Sequence, residues 1–491
     1  MTQCILVIDE GTTSTRAIAF DRSFQPVGIA QAAISRETPH DGWVQQDGTE
    51  IWEATRSVCL DAIRQAGGVE NFAGIAITNQ RETTLIWERG GGQPIAPAIV
   101  WQDRRTASIC DAQRAQGHEA RVTALTGLLL DPYFSATKIA WTLDAVPGAR
   151  ARAERGELAF GTVESFLIDR LSGGTAHVTD ATNASRTLLM ALEGGWSAEL
   201  CALFGVPMGL LPQIRPSSGV LAHTQVGLFG KALPILAAVG DQQAALVGQG
   251  CLRKGQAKIT YGTGAFLVAH AGETVPTSRH RLLATVAYEA ADTKAFALEG
   301  AIFNAGTVVK WLRDGLGLIP DASASEAQAA ALPDNGGVWF VPAFTGLGAP
   351  HWDAEARGLI SGLTLGTTRQ HVVRAGLEAT AYQTRDLLDA FAADGVEIAE
   401  LRVDGGMVAN DWLMQFLADI CARPVFRPDF QEMTALGAAA LGGMALGWTD
   451  LEAWANRPVP GRRFAPLIAS ADRESLLSGW RRALSRARTR A

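Results

Sequence analysis

Short apolar runs recur along the chain, separated by longer stretches whose apolar positions fall at helical spacing. ILVI (5–8), AIAF (17–20), GIAIT (74–78), AIVW (98–101), PILAAV (234–239) and AKITY (257–261) have the length and β-rich composition of strands. Between them, Ile51, Thr55, Val58 and Ala62 place one apolar face on a helix from Glu50 to Ala66. Asp47 or Thr49 is placed to cap its start, and Gly67-Gly68 to end it. The weakly polar run Ala435 to Trp448 is mostly Ala, Gly and Leu. A membrane span takes about 20 residues, so this run predicts a buried helix. Strands alternating with helices from end to end imply an α/β architecture.

The pattern has a coarse two-fold echo. Residues 5–20 read strand, Asp9, Gly-Thr-Thr, strand; residues 235–268 read strand, Gly-Asp, then strand, Gly-Thr-Gly, strand. Two related halves follow, with a boundary near residues 245–255. A length of 491 residues would by itself suggest roughly three domains. The paired turns reduce that to two: residues 1–250, and 251–491. The basic stretch that begins at Trp480 predicts a solvated terminal helix that frays.

Composition narrows the function. Apolar residues make up 47% and charged residues 19%, enough for large cores and unlike a disordered chain. A net charge of −7 argues against gripping nucleic acid or an anionic membrane. It leaves room for a small anion, because backbone N–H groups and one or two arginines suffice to hold phosphate. The apolar run Ile5 to Ile8 is too short for a signal-peptide core and ends in Asp9-Glu10. The six cysteines (Cys4, Cys59, Cys110, Cys201, Cys251 and Cys421) form no CxxC pair, as expected of reduced thiols in a cytoplasmic enzyme. The eight histidines show no HExxH, so imidazole ligation of a metal is not predicted.

Common nucleotide motifs are absent: there is no GxxxxGK[ST], and Gly262-Thr-Gly264 lacks the third glycine of GxGxxG. Ser135-Ala-Thr-Lys138 matches SxxK without the SDN or KTG that would give it meaning. Asn183-Ala-Ser185 is a sequon in a chain with no secretory signal, a chance match. The informative run is Asp9-Glu-Gly-Thr-Thr-Ser-Thr-Arg16 between two strands. A tight turn at Gly11 would gather N–H groups and the hydroxyls of Thr12, Thr13 and Ser14, with Arg16 as cation, into a phosphate-binding concavity. Asp9 is suited to hold Mg²⁺ through water. Thr260-Tyr-Gly-Thr-Gly-Ala-Phe266 repeats the strand–turn–strand scheme, and Val403-Asp-Gly-Gly-Met-Val-Ala-Asn410 permits close approach to a ring or ribose.

These three motifs, in this order, resemble the actin-like ATPase superfold, and within it the FGGY carbohydrate kinases. The likeness is sharpest to the glycerol-phosphorylating members and covers nearly the whole chain except the final ~30 residues. It is carried by GWVQQD (42–47), TNQRETT (78–84), VWQDRRT (100–106), YFSATKIAW (133–141), HVTDATNASRT (177–187), GDQQAAL (240–246), FVPAFTGLGAPHWD (340–353) and TALGAA (434–439). The resemblance implies two actin-like, ribonuclease H-like domains, each a mixed sheet flanked by helices, closing over a cleft. It implies phosphorylation of glycerol by ATP with Mg²⁺, and a homodimer or homotetramer in the cytoplasm, with no nucleic-acid partner and no membrane insertion.

By the same resemblance, Asp241 is the catalytic base. Arg81, Glu82, Tyr133, Asp241 and Gln242 hold the polyol, and Trp101 and Phe266 wall its carbons. Thr12, Thr13, Ser14, Arg16, Thr263, Gly306, Lys310, Gly406 and Asn410 hold the nucleotide, and Asp9 and Asp241 touch the Mg²⁺ water shell. The start of a helix beside Asp241 is expected to favour its ionised, proton-accepting form. Four positions depart from the family's pattern. Glu10 and Lys310 stand where glutamine is usual, Asp411 replaces asparagine, and Gly376 in RAGLEATAY replaces a larger residue. The loop 227–233 lacks the arginine that regulated members present to a sugar bisphosphate, so that inhibition is not expected. A kinase for another polyol or ketose, and an ATPase switch of the actin or chaperone type, are the alternative readings.

Overall fold

The computed structural model describes residues 3–489. Strands β1 (Cys4–Glu10), β2 (Ser14–Asp21) and β3 (Pro26–Ala33) form an antiparallel meander, followed by helix α1 (Gly48–Gln65). With β4 (Phe72–Asn79), β5 (Ser218–His223) and β6 (Pro234–Gly240) they make a six-stranded sheet in the order β5-β6-β4-β1-β2-β3. Here β4 runs parallel to both β1 and β6. Helix α2 (Asp241–Gly248) leaves directly from the end of β6.

The second sheet repeats this layout. Strands β7 (Ala257–Tyr261) and β8 (Ala265–Gly272) form the hairpin, with β9 (Leu283–Ala290) and β10 (Thr293–Ile302) added on its antiparallel side. Helices α3 (Gly306–Asp314) and α4 (Arg369–Ala393) follow, then β11 (Leu401–Asp404), helix α5 (Asp411–Cys421), β12 (Val425–Pro428), helix α6 (Met433–Ala445), β13 (Gly461–Phe464) and helix α7 (Ser470–Ala487). The order is β9-β10-β8-β7-β11-β12-β13, with β11 parallel to β7 and to β12. The mixed, helix-flanked sheets expected from the alternating pattern are therefore present twice.

Every residue of β1 is buried because both faces of its sheet are covered, which is why it reads as a continuous apolar run. Leu6 and Ile8 pack with Ile51 and Val58 of α1; Ile5 and Val7 pack with Ala438 and Leu441 of α6. The buried Ala-rich helix predicted near residue 435 is α6, and it crosses α2 at backbone contact. A Cβ on Gly437 would land on the Ala244 carbonyl, and one on Gly248 on the Met433 carbonyl. Only glycines allow this approach, which binds a helix of the first half to one of the second. At α1 the choice of cap is settled: Thr49 N–H donates to Asp47 Oδ1 at 2.8 Å.

Two expectations need correction. The strand expected over 98–101 is only Ala98–Ile99. Trp101 leaves the ladder because its N–H donates to Thr83 Oγ1 at 3.2 Å. The expected fraying terminal helix is docked along its length. Trp480 of α7 is fully buried, stacks on Tyr382 of α4 with ring centroids 5.3 Å apart, and donates to Asp386 Oδ2 at 2.9 Å. The arginines line the solvent side while Leu477, Ala483 and Leu484 face inward, so the basic composition concealed an amphipathic helix. Trp480→Ala is expected to destabilise the protein by about 3–5 kcal/mol, read from the urea unfolding midpoint.

Candidate active site

The first turn is closed by Gly11 N–H donating to Ser14 O at 3.0 Å, which puts Thr12, Thr13 and Ser14 at the tip of the β1–β2 hairpin. Thr12 Oγ1 accepts from Trp101 Nε1 at 2.9 Å. Arg16, expected as a fixed cation, is fixed by two carboxylates: Asp9 at 2.8 Å and Glu432 at 2.5 Å. Asp9 is buried, and burial lifts its carboxyl to about 6 against the pull of Arg16, with Glu432 and Asp241 adding to the rise. Behind the turn, burial lifts Glu10 to about 8 despite the hydrogen bond that Thr55 Oγ1 donates to its Oε2 at 3.0 Å. Protonated, it offers one donor and one acceptor, as a glutamine there would.

The second turn, between β7 and β8, is closed by Gly262 N–H to Gly264 O at 2.9 Å and exposes Thr263. It is fastened to the start of α3, where Gly306 N–H donates to Gly262 O at 2.9 Å and Thr307 N–H to Thr263 O at 3.1 Å. Lys310 lies one turn farther along α3 and is exposed. At the end of β11, Gly405 has φ +93°, and a Cβ there would stand 2.5 Å from the Tyr261 carbonyl, so the third motif is pressed against the second. Gly406 is exposed at the start of the 3₁₀ turn Gly406–Ala409. Asn410 caps α5 by accepting from Leu413 N–H at 2.8 Å, which commits its carbonyl to the helix and leaves its amide nitrogen for a ligand.

Between the hairpins lies a cavity of about 800 Å³ lined by Arg16 from the first half and by Thr260, Gly405, Gly406, Arg427 and Glu432 from the second. Arg16 and Gly406 are thus brought to one cavity, while Thr263 on the β7–β8 turn, Gly306 and Lys310 on α3, and Thr12, Thr13, Ser14 and Asn410 are not among its lining residues.

The residues expected to hold a polyol are brought together around Arg81. Arg81 is buried at the end of β4, with Nε 3.3 Å from Asp241 Oδ1 and Nη2 3.5 Å from the Tyr133 hydroxyl. Glu82 adopts φ +61° and lies 4.0 Å from Arg81 Nε. Gln242 Oε1 accepts from Lys258 Nζ, which also donates to Thr260 Oγ1 at 2.8 Å. Trp101 packs edge-on against Tyr133 and Phe266, with centroids 5.7 and 6.0 Å away, forming an aromatic wall.

Asp241 is the first residue of α2, and the cap is Gly240. The helix start was expected to favour its ionised form. Instead burial raises its carboxyl above the ordinary value, outweighing Arg81, Lys258 and the Gln242 N–H. Glu82 is likewise raised by burial against Arg186 and Arg81. Lys258 is lowered to about 8, chiefly by burial, with Asp404 and Asp241 opposing.

No group of three or more His, Cys, Asp or Glu side chains suited to a metal occurs among the described residues. Asp9 and Asp241, the second of which raises the first one's affinity for protons, fit a divalent ion reached through water and phosphate oxygens, and do not fit a protein cage.

Four site residues escaped the sequence reading: Lys258, Arg186, Glu299 and Glu432. The first three are charged residues inside otherwise apolar or small-residue runs (AKITY, ASRTLL and FALEGAI), and each is fully buried. A charge at such a position demands a partner, and that was the available signal. Glu432 lies in a loop and carried no signal.

Residues 4–248 match the N-terminal domain of the FGGY family of carbohydrate kinases, and residues 257–446 match its C-terminal domain. The chain is 54% identical over 490 residues to a glycerol kinase of Rhodospirillum centenum, covering 99% of this chain and 98% of that one. It is 52% identical to glycerol kinase 1 of Pseudomonas aeruginosa, covering all of both chains. Among solved structures, glycerol kinase of Plasmodium falciparum with ADP superposes with a TM-score of 0.93 at 34% identity, covering 100% of this chain and 99% of that one. A xylulose kinase of Rhodospirillum rubrum, 23% identical with a TM-score of 0.85, shares the fold. With both family domains matched in order along a chain half identical to the two bacterial glycerol kinases, the protein belongs to the FGGY family of carbohydrate kinases.

Proposed function

We propose that the protein transfers the γ-phosphoryl group of ATP to glycerol, giving ADP and sn-glycerol 3-phosphate. The observation that carries this reading is the joining of Asp241, Arg81, Glu82 and Tyr133 under the Trp101–Phe266 wall, in a chain half identical to glycerol kinases over its length. Three adjacent hydroxyls need donors and acceptors at fixed places; Arg81 supplies the former, Glu82 and Asp241 the latter. Asp241 orients the attacking hydroxyl and takes its proton, while Gln242, held by Lys258, completes the floor. Exclusion of a longer carbon chain falls to the aromatic wall.

In this reading residues 1–250 bind polyol and phosphate, and residues 251–491 bind nucleotide. Phosphate oxygens are taken by the turns at Thr12, Thr13, Ser14 and Thr263 and by Arg16, with the nucleoside toward Gly306, Lys310, Gly406 and Asn410. Asp9 and Asp241 would hold Mg²⁺ through water, and the ion would supply charge neutralisation at the phosphates. Closure of the cleft keeps water from the phosphoryl group, so that the polyol receives it. The enzyme is a cytoplasmic homodimer or homotetramer. All six cysteines are buried, in keeping with a reducing compartment, and no helix among the described residues is long and apolar enough to cross a membrane.

The test is a panel of glycerol, erythritol, xylulose and gluconate with ATP. Glycerol is expected to give the highest kcat/KM, and preference for any larger substrate refutes the assignment.

A further inference from the structure

Glu299 sits on β10, in the sheet of the second half, and its side chain has no exposed surface. Its two oxygens reach into the first half. Oε2 accepts from Arg81 Nη1 at 2.5 Å, and Oε1 accepts from Arg186 Nη2 at 2.9 Å. Arg186 in turn donates from Nε to Glu82 Oε1 at 2.6 Å. One carboxylate therefore ties the guanidinium of Arg81 to that of Arg186, which in turn holds Glu82. Neither arginine has water as an alternative. Arg81 is buried, and Arg186 has no exposed surface and lies over the rings of Tyr133 and Phe134, 5.4 and 5.2 Å from their centroids. Nη1 of Arg186 is buried without a partner, so its charge-assisted bonds are the two to Glu82 and Glu299.

We propose that Glu299 is a positioning residue for the polyol site, holding Arg81 and, through Arg186, Glu82 in the geometry that reads glycerol hydroxyls. This rests on the glycerol reading above. The charges around the cluster show why the anchor matters. Without Glu299, the acceptors left to Arg81 are Gln243 Oε1 at 3.3 Å, the Tyr133 hydroxyl, Asp241 and Glu82. The guanidinium would then turn toward Asp241, occupying an oxygen needed for substrate and withdrawing donors from the hydroxyls. Glu299 keeps its charge despite burial, since Arg186, Arg81 and Lys258 together bring it down to about 2. It is thus a permanent anchor over the working pH range. It also makes the site a joint product of both halves, because the polyol donors are set by a residue from the opposite sheet.

The test is steady-state kinetics of Glu299→Gln and Glu299→Asp beside the wild type. The expected result is a rise in glycerol KM of about ten- to a hundred-fold, the worth of one charge-assisted hydrogen bond, with ATP KM near the wild-type value. Discrimination between glycerol and 1,2-propanediol should fall as well, because a loosened Arg81 is no longer left unpaired by the missing hydroxyl. A purely structural role would lower thermal stability and move neither the KM split nor the discrimination ratio. A folded variant with unchanged glycerol KM and unchanged discrimination overturns the proposal, as does a parallel rise in both KM values. If Glu299→Gln does not fold, Glu299→Asp decides by the same criteria, since it keeps the charge and draws it back from both arginines. A wild type that prefers a larger polyol defeats the functional reading separately. The same KM split, measured with that polyol, then still decides the role of Glu299.

Discussion

Asp241→Asn is expected to lower glycerol-dependent turnover by about 10²–10⁴-fold while ATP affinity stays near the wild-type level. The amide keeps the size and the place of the carboxylate at the start of α2, but it cannot take the proton of the attacking hydroxyl. ATP affinity is expected to persist because the turns at Gly11 and Gly262 and the cavity beside Gly405 do not depend on that side chain for their shape. Single-turnover phosphoryl transfer and calorimetric titration of ATP separate the two effects, and normal turnover in the variant would remove Asp241 from the role of base. A pH signature accompanies this. Burial raises the Asp241 carboxyl above its ordinary value of 3.8, and the accepting form is the ionised one. As pH falls, wild-type turnover should therefore decline earlier than an ordinary aspartate would dictate, and Asp241→Asn should lose that limb.

Arg81→Gln is expected to carry the second large effect, on both substrate use and stability. The side chain contacts Glu299, Asp241 and Tyr133 from a buried position, so its loss removes hydroxyl donors and leaves buried carboxylates without their counter-charge. Two charge-assisted bonds lost to substrate correspond to a fall in glycerol kcat/KM of about 10²–10⁴-fold. Removing one partner of a buried ion pair costs about 3–5 kcal/mol, visible as a lower urea midpoint. Arg81→Lys should recover more stability than catalysis, because an ammonium restores the charge but not the planar fork that reaches Glu299 and Tyr133 together. Equal recovery of both would show that charge alone matters at this position.

Much of this site was legible from residue order, and the reason is local. A hairpin tip is written in consecutive residues, so Asp9 to Arg16 and Thr260 to Phe266 could be read as strand–turn–strand units without knowing what lay opposite. Asp241 was legible because a strand ends and a helix begins around it. The balance of forces upon it was not: the helix start lies in the sequence, whereas the burial that outweighs it depends on the whole fold. The Glu299 clamp was hidden for the same reason. Its partners Arg81 and Arg186 lie 218 and 113 residues away, and no short motif spans that distance. The terminal helix was misjudged from composition, since its arginines are conspicuous while the Trp480–Tyr382 stack that fastens it joins residues far apart in the chain.

An ATPase switch of the actin or chaperone type would use the same proposed phosphate turns and gives no reason for the buried Arg81–Glu82 pair. Release of ADP with and without glycerol, measured alongside the formation of glycerol 3-phosphate by ³¹P NMR, separates the two most directly. The arrangement of Asp241, Arg81 and Glu82 predicts ADP release that depends on glycerol and matches sn-glycerol 3-phosphate one for one. ADP release at the same rate without glycerol, or with no phosphorylated polyol formed, would contradict it.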